Sequence, residues 1–396
     1  MKAIDSQTLW VKLKQFVLTF SLVFCLGFIL CFPINPTILS DIQGVVTCGL
    51  SPVIGLLNNL TYHDKTLDLH IFSDSKSMYL LVLLLACLSF ISTSVAHIFK
   101  LKVSAKTVYW LRTIIKYYIA YQLLHYGFNK MFKWQFFLPE PNVVYAQLGT
   151  ISKDLLYWSA IGSSYWYTVI AGCLEVVAGF LLFFRKTQKA GLMLALVLFS
   201  NIVLVNFTFN ISVKLFSLFL LFATFILFSQ YLNQFLAFLF NRQVRPINNY
   251  QPDFKTTSTL YSITKSIVVL LLVLDSLWLY GKTSNWNDDI QSRPLLHGAY
   301  ETSLNQINDW AAVYVNRKGY LISENQAGLK VDFQLAYDTT NHFLSLDRPG
   351  QSLILQYDDS NQKVVLTDSE GDSIVLKKLP YTDLPLFQKS FDWWID

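Results

Sequence analysis

Four polar residues lie deep inside segments that are otherwise apolar. Arg112 and Lys116 stand one helical turn apart. Glu175 interrupts the run CLEVVAGFLLFF, and Asn201 interrupts a run of similar character. At about 1.5 Å per helical residue, Lys116, Glu175 and Asn201 lie roughly 13 to 16 Å from the same end of their segments. Because an ionised group in hydrocarbon is strongly disfavoured unless it is paired, opposite charges at one depth are expected to meet.

This arrangement predicts a buried polar network in which Glu175 pairs with Lys116 or Arg112 and Asn201 takes part. Two interpretations are open. Such a network can serve as a proton relay or as the polar end of a site for a buried ligand, for which a quinone is possible. It can equally be an ion pair that only clamps helices together.

A second polar set lies nearer the opposite end of the same segments and contains His125, Lys130, Asn206 and Lys214. An unperturbed imidazole titrates near neutral pH, so His125 could exchange protons with a quinol or another substrate. The simpler interpretation is a packed histidine beside polar groups that face water. The sequence assigns no partner to Asp275.

Several kinds of site lack their sequence signals. His97 and His125 fall near opposite ends of their segments, which disfavours a haem held between two spans. The chain has no zinc motif and no glycine-rich nucleotide loop, and none of its five cysteines forms a C-x-x-C pair. The sequence therefore predicts no metal site and assigns neither a cofactor nor a catalytic residue.

Membrane-spanning helices are needed to hold these residues. Hydrophobic residues make up 53% of the chain and charged residues only 14%, whereas soluble domains average roughly 45–50% and about 25%. A bilayer span requires about 20 apolar residues. Seven segments qualify, at 12–32, 78–98, 108–129, 164–184, 190–209, 213–240 and 262–281. The sequence thus predicts an all-α polytopic bundle in a lipid bilayer.

Charge divides the chain into two parts. Residues 1–281 carry 21 Lys and Arg against 10 Asp and Glu, whereas the remaining residues carry 10 against 16. This asymmetry indicates two compartments rather than nucleic-acid binding. The most basic short loops are expected in the cytoplasm. They predict a multi-pass protein of the cell membrane with a cytoplasmic N-terminus and an extracytoplasmic C-terminal domain.

The C-terminal part has the pattern of an antiparallel β domain. Apolar and polar residues alternate at 331–337, 342–346, 352–357, 363–367 and 373–379, and turn-forming residues separate these runs. Residues 314–322 favour a further hairpin. Together they predict a soluble β-rich domain over 285–396.

Residues 108–240 resemble the DoxX-like family of membrane proteins. Four stretches carry the resemblance: Arg112 followed by HYGFNKMF, then CLEVVAGFLLFF with Glu175, RKTQKAGLMLALVLFSNIVLVN, and NISVKLFS. The resemblance implies a four-helix core. Since members of that family include a subunit of a thiosulfate:quinone oxidoreductase, it also implies a redox-associated role.

The predicted organisation therefore has four parts: two N-terminal spans (1–107), a DoxX-like core (108–240), a linker with the seventh span (241–284) and the β domain (285–396). The leading functional hypothesis is a redox-associated subunit that binds a quinone or another lipid-like ligand in the helical core. The alternative is a non-catalytic scaffold or transport component whose β domain binds a membrane or extracytoplasmic protein.

Overall fold

The computed structural model describes residues 6–387 apart from 33–37, 63–72, 102, 244–257, 306–309, 339, 341, 349–350, 361–362 and 368–372. These residues form two compact units. The helical unit comprises residues 6–131 and 170–284, and the barrel unit comprises residues 132–169 and 285–387.

Helices make up all of the regular structure among the described residues before residue 284. They are α1 (Ser6–Cys31), α2 (Ile38–Tyr62), α3 (Lys76–Ile98), α4 (Ala105–Met131), α5 (Pro141–Val144), α6 (Lys153–Ser163), α7 (Tyr165–Phe183), α8 (Gln188–Thr208), α9 (Lys214–Ser229), α10 (Leu232–Leu239) and α11 (Ser258–Thr283).

Five of the described helices are long and apolar enough to cross a membrane, namely α1, α3, α7, α8 and α11. Helices α9 and α10 provide a sixth candidate if they form one span, which is bent by 76° at the break between them. The seven predicted spans are therefore not confirmed as a set. Of the seven predicted spans, the one over 108–129 is not among the candidates, because polar residues recur along most of the length of α4.

Helix α4 is enclosed by its neighbours. It packs against α1, α9 and α11, and twelve of its 27 residues are buried. A helix that carries cations, amides and phenols is poorly solvated by lipid, so the apolar helices around it take the lipid-facing positions. This arrangement explains how so polar a helix is accommodated within an apolar bundle.

Two glycines allow α4 and α7 to approach closely. A Cβ atom on Gly172 would lie 2.5 Å from the carbonyl oxygen of Gly127, and a Cβ atom on Gly127 would lie 2.7 Å from a methyl carbon of Val176. Any larger residue at either position would push the backbones apart. Small residues commonly mark such close helix contacts in membranes, and here the contact fixes the register between α4 and α7.

The barrel unit contains eight strands in a closed antiparallel barrel. They are β1 (Gly298–Asn305), β2 (Trp310–Val315), β3 (Tyr320–Asn325), β4 (Lys330–Asp338), β5 (Phe343–Arg348), β6 (Gln351–Ser360), β7 (Lys363–Thr367) and β8 (Ser373–Lys378). Each strand pairs with the next along the chain, and β1 pairs with β8 to close the sheet, with Tyr300 opposite Lys378.

Alternation along the strands forms the barrel core. On β4, Phe333 and Leu335 are buried while Gln334 between them is exposed; on β5, Leu344 and Leu346 are buried. Buried hydrophobic side chains from all eight strands or their flanking turns fill the interior, as expected for a barrel of this strand number. The predicted antiparallel β domain and the hairpin near 314–322 are confirmed. Strand β1 and the closure were not predicted.

Residues 132–169 belong to the barrel unit and are bonded to its loops. The Glu140 carboxylate accepts hydrogen bonds from the backbone nitrogen of Arg317, at 3.1 Å, and from its guanidinium, at 2.9 Å. The Trp134 indole donates to the Asn285 carbonyl at 3.0 Å. The Arg317 guanidinium also stacks 3.3 Å over the Phe137 ring. These contacts fasten the segment to the barrel.

Candidate functional site

A large cavity lies within the helical unit and has a volume of about 1220 Å³. Its walls come from the beginnings of α1, α4, α8 and α11 and from the ends of α3, α7 and α9. Because consecutive spans run in opposite directions, all of these helix ends meet at one end of the unit. The cavity therefore occupies the end of the bundle at which α4 begins.

The walls of this cavity are strongly basic. None of the described lining residues is an Asp or Glu, and the neutral polar ones include four glutamines and four tyrosines. The lysines and arginines that line the cavity are Lys12, Lys100, Arg112, Lys116, Arg185, Lys189 and Lys265. Seven cations without an acidic residue among them create a site of high positive potential.

Neutral groups hold the two cations of α4 that line the cavity, both of which are half-buried. Arg112 donates to the Gln230 side-chain oxygen at 3.1 Å, and Lys116 donates to that of Gln188 at 2.9 Å. Gln188 in turn donates to the Tyr231 hydroxyl at 3.2 Å. In the described part of the chain, no carboxylate forms a salt bridge with Arg112 or Lys116. The amides orient both cations without supplying a negative charge.

Aromatic rings and like charges complete the electrostatics of the cavity. Lys116, Lys189 and Lys265 lie 5.7, 5.3 and 5.6 Å over the rings of Tyr117, Tyr231 and Phe184 respectively. A ring face stabilises a cation by about 0.5–2 kcal/mol. Arg185 and Lys265 are also close enough to Lys116 for their positive charges to repel it. The cavity therefore has a net attraction for anions.

The predicted pairing of Glu175 with Lys116 or Arg112 is wrong. The ammonium of Lys130 lies 2.6 Å from both oxygens of the Glu175 carboxylate, and both residues are buried. The close contact between α4 and α7 explains the difference. Gly179 packs against Ala120, so Lys116 lies level with the end of α7, about 12 Å along the axis from Glu175.

Asn201 does not join a network, contrary to the sequence-based expectation. Its side chain is exposed on α8. The buried positions of that helix include Leu192, Ala195, Phe199 and Asn206, which recur every three to seven residues along one face. Asn201 falls outside this stripe, because depth along a helix does not determine which face a residue occupies.

The second polar set separates into several contacts. Lys130 is the partner of Glu175. Lys214 forms a salt bridge of 3.5 Å with Asp74, whose carboxylate also accepts the backbone N–H groups of Lys214 and Leu215 at the start of α9. Asp74 therefore caps a helix. His125 and Asn206 are both buried, and the His125 ring stacks near that of Tyr121 at 6.1 Å.

Asp275 has a partner that the sequence did not reveal. The Tyr121 hydroxyl donates to its carboxylate at 2.6 Å. One turn further along α11, the Tyr280 hydroxyl donates to the Asn129 side chain at 2.8 Å. These two bonds join α11 to α4.

Arg112 and Lys116 are half-buried and line the cavity, which sequence reasoning missed. The charge of the short basic loop with Arg185 and Lys189 predicts its side of the membrane, but not that these residues line a cavity. The available signal was the excess of basic over acidic residues before residue 282. Had these cations been assigned to helix ends on one side of the bundle, they would have converged on the cavity.

The barrel unit contains a separate ionic cluster around Glu140. His297 lies 4.0 Å from its carboxylate, and Arg293 and Arg317 both contact Asp288 nearby. Burial, followed by the charges of Arg293 and Lys378, lowers the pKa of His297 to about 4. Burial also raises the pKa of Glu140 in spite of its bonds to Arg317. The cluster fastens the segment 132–169 to the barrel loops.

Comparisons with known proteins gave no match, whether with protein-family models, curated proteins or solved structures. The resemblance of residues 108–240 to the DoxX-like family therefore rests on sequence motifs alone and stays a prediction.

The Lys130–Glu175 pair gives a test of its structural role. Glu175→Gln leaves the Lys130 charge buried without a carboxylate and is expected to cost about 3–5 kcal/mol of stability. The double variant Lys130→Met, Glu175→Leu removes both charges and should be close to the wild type. Thermal unfolding in detergent measures both, with Asn201→Ala on the exposed face as the control. A Glu175→Gln variant as stable as the wild type would contradict this role.

The lowered pKa of His297 predicts that the barrel unit loses stability in acid. The unfolded chain binds a proton near pH 6.5, whereas the folded chain binds it only near pH 4. Stability should therefore fall as the pH falls from about 6.5 to about 4. His297→Gln should reduce this fall, and exposed His342→Gln should not. Tryptophan fluorescence and β-sheet circular dichroism during denaturation measure the transition.

Burial raises the pKa of Glu140 and of Asp289, so the folded chain binds protons at these residues more readily than the unfolded chain does. Their contribution to the pH dependence of stability is therefore opposite in sign to that of His297. The comparison is therefore between variants rather than between absolute stabilities. An unchanged fall in the His297→Gln variant would show that another group causes the acid sensitivity.

Proposed function

We propose that this chain is a multi-pass membrane protein that binds an anionic, lipid-like molecule in the cavity of the helical unit. One observation carries the proposal: seven lysines and arginines line the cavity, and its described lining contains no carboxylate. Basic pockets between membrane helices are a known means of binding anionic lipid head groups.

Electrostatics supports an anion as the ligand. Among the described residues, the side-chain hydrogen bonds of Arg112 and Lys116 go to glutamine oxygens, and Lys116 is repelled by two further cations. Keeping such charges partly desolvated without a counter-ion is unfavourable. A bound anion supplies the missing charge and accepts hydrogen bonds from the same donors.

The setting of the cavity supports a lipid-like ligand. Its walls include apolar side chains such as Phe16, Leu18, Leu192 and Leu227 beside the cations. The helices that form it are candidate spans or are packed among them. A molecule with a charged head group and an apolar chain matches both kinds of wall.

This proposal changes the ligand of the sequence-based hypothesis. A lipid-like molecule is retained, but the charges favour an anionic head group over a neutral quinone. A redox-associated role rests on the resemblance to DoxX-like proteins and remains a separate prediction.

We further propose that the cavity end of the helical unit faces the cytoplasm. The short basic connections between α3 and α4, with Lys100, and between α7 and α8, with Lys186, lie at that end. In a variant without native cysteines, Ser284→Cys at the other end of α11 should react with a membrane-impermeant thiol reagent applied to intact cells, and Lys186→Cys should not. The opposite labelling pattern would invert the orientation.

Binding can be tested on the purified protein with defined lipids. Native mass spectrometry should show preferential binding of phosphatidylglycerol over phosphatidylcholine. Each charge-assisted hydrogen bond contributes about 1.5–3 kcal/mol, so Lys116→Gln or Arg112→Gln should weaken binding roughly tenfold or more. Lys186→Gln, an exposed charge close in sequence that does not line the cavity, is the matched control.

Thermal unfolding separates loss of binding from loss of fold. Since Lys116 is repelled by neighbouring cations, Lys116→Gln without lipid should be at least as stable as the wild type, whereas added anionic lipid should stabilise only the wild type and the control. Equal binding of neutral and anionic lipids, or equal loss in the Lys186→Gln control, would overturn the proposal.

A further inference from the structure

We infer that the head group bound in this cavity ends in a doubly charged phosphate, that is, a phosphomonoester rather than a phosphodiester or a carboxylate. The inference rests on the proposed function and specifies its ligand. It follows from the number of cations that converge, from the hydrogen-bond donors they offer and from the absence of carboxylates among the described lining residues.

Several cations converge on one region of the cavity. Lys116 on α4, Arg185 after α7 and Lys265 at the start of α11 all line it, and Lys265 lies 5.6 Å over the ring of Phe184, the residue before Arg185. Arg112 is one turn from Lys116 on the same face of α4. A single negative charge among these cations would leave a clear positive excess, whereas a dianion comes closer to balancing them.

The donors also suit a terminal phosphate. A phosphomonoester presents three terminal oxygens, one more than a phosphodiester. Lysine offers three rotatable donors and arginine a planar fork, both of which bind phosphate well. The amide of Gln188 and the hydroxyl of Tyr231 stand beside Lys116 and supply neutral donors for the same oxygens.

The described lining has no carboxylate that could hold a bridging metal ion. Magnesium is usually bound through one or two carboxylates together with substrate phosphates. The phosphate is therefore expected to contact the cations directly, and its binding should not require a divalent metal.

Two lipids that differ by one methyl group provide the test. Phosphatidic acid ends in a phosphomonoester, and phosphatidylmethanol of the same acyl chains carries one charge fewer. For the full-length protein at pH 8, titrations followed by native mass spectrometry should give at least tenfold tighter binding of phosphatidic acid, unchanged by a chelator. Lys265→Gln and Arg185→Gln should each reduce this ratio, and Lys186→Gln should leave it unchanged.

The outcomes separate the two proposals. Equal binding of both lipids, with phosphatidylcholine weaker, would overturn the dianion while leaving an anionic ligand in place. No preference for either anionic lipid over phosphatidylcholine would overturn both proposals. Soluble glycerol 3-phosphate distinguishes the sources: if it competes as well as phosphatidic acid, the ligand is a free phosphorylated molecule rather than a lipid, and the lipid-like part of the proposal fails.

Discussion

The helical unit depends on keeping one polar helix away from lipid. Helix α4 carries cations, phenols and amides along its length, and hydrocarbon solvates none of them well. Two neighbouring helices show how α4 is covered. Helix α7 packs closely against it where Gly172 meets Gly127, and α11 provides hydrogen-bond partners through Asp275 and Tyr280. The ion pair at one end of α4 and the cavity at the other follow from the same requirement.

The two ends of α4 resolve their charge in different ways. Near its C-terminal end, Lys130 forms a buried salt bridge with Glu175, and the pair has no net charge. At its N-terminal end, Arg112 and Lys116 donate hydrogen bonds to neutral glutamine oxygens and line a cavity with other cations, and no described carboxylate lines it. A buried charge with a fixed internal partner favours a structural role, whereas one whose surroundings lack a counter-ion favours an external ligand. This contrast moves the functional interest from Glu175 to the cavity.

How far the sequence predicted the structure depended on the range of the interactions involved. Alternation along Phe333, Gln334 and Leu335 is local, so the strands were predicted well. Barrel closure pairs Tyr300 with Lys378, and no local sequence pattern indicates a contact between residues so far apart in the chain. The partner of Glu175 was predicted wrongly because counting from segment ends cannot detect the register that the glycine contact imposes. The cavity was missed because its seven cations come from several helices and connections and converge only in three dimensions.

Closure of the barrel also determines when this unit can be completed. Its first strand bonds to its last strand, and Glu140 bonds to Arg317, which lies 177 residues further along the chain. Contacts so distant in sequence form slowly, since a long loop must close before they contribute. During synthesis, helices α1 to α11 emerge from the ribosome before the last barrel strand. The segment 132–169 therefore forms its contacts with the barrel loops only after most of the chain has been synthesised.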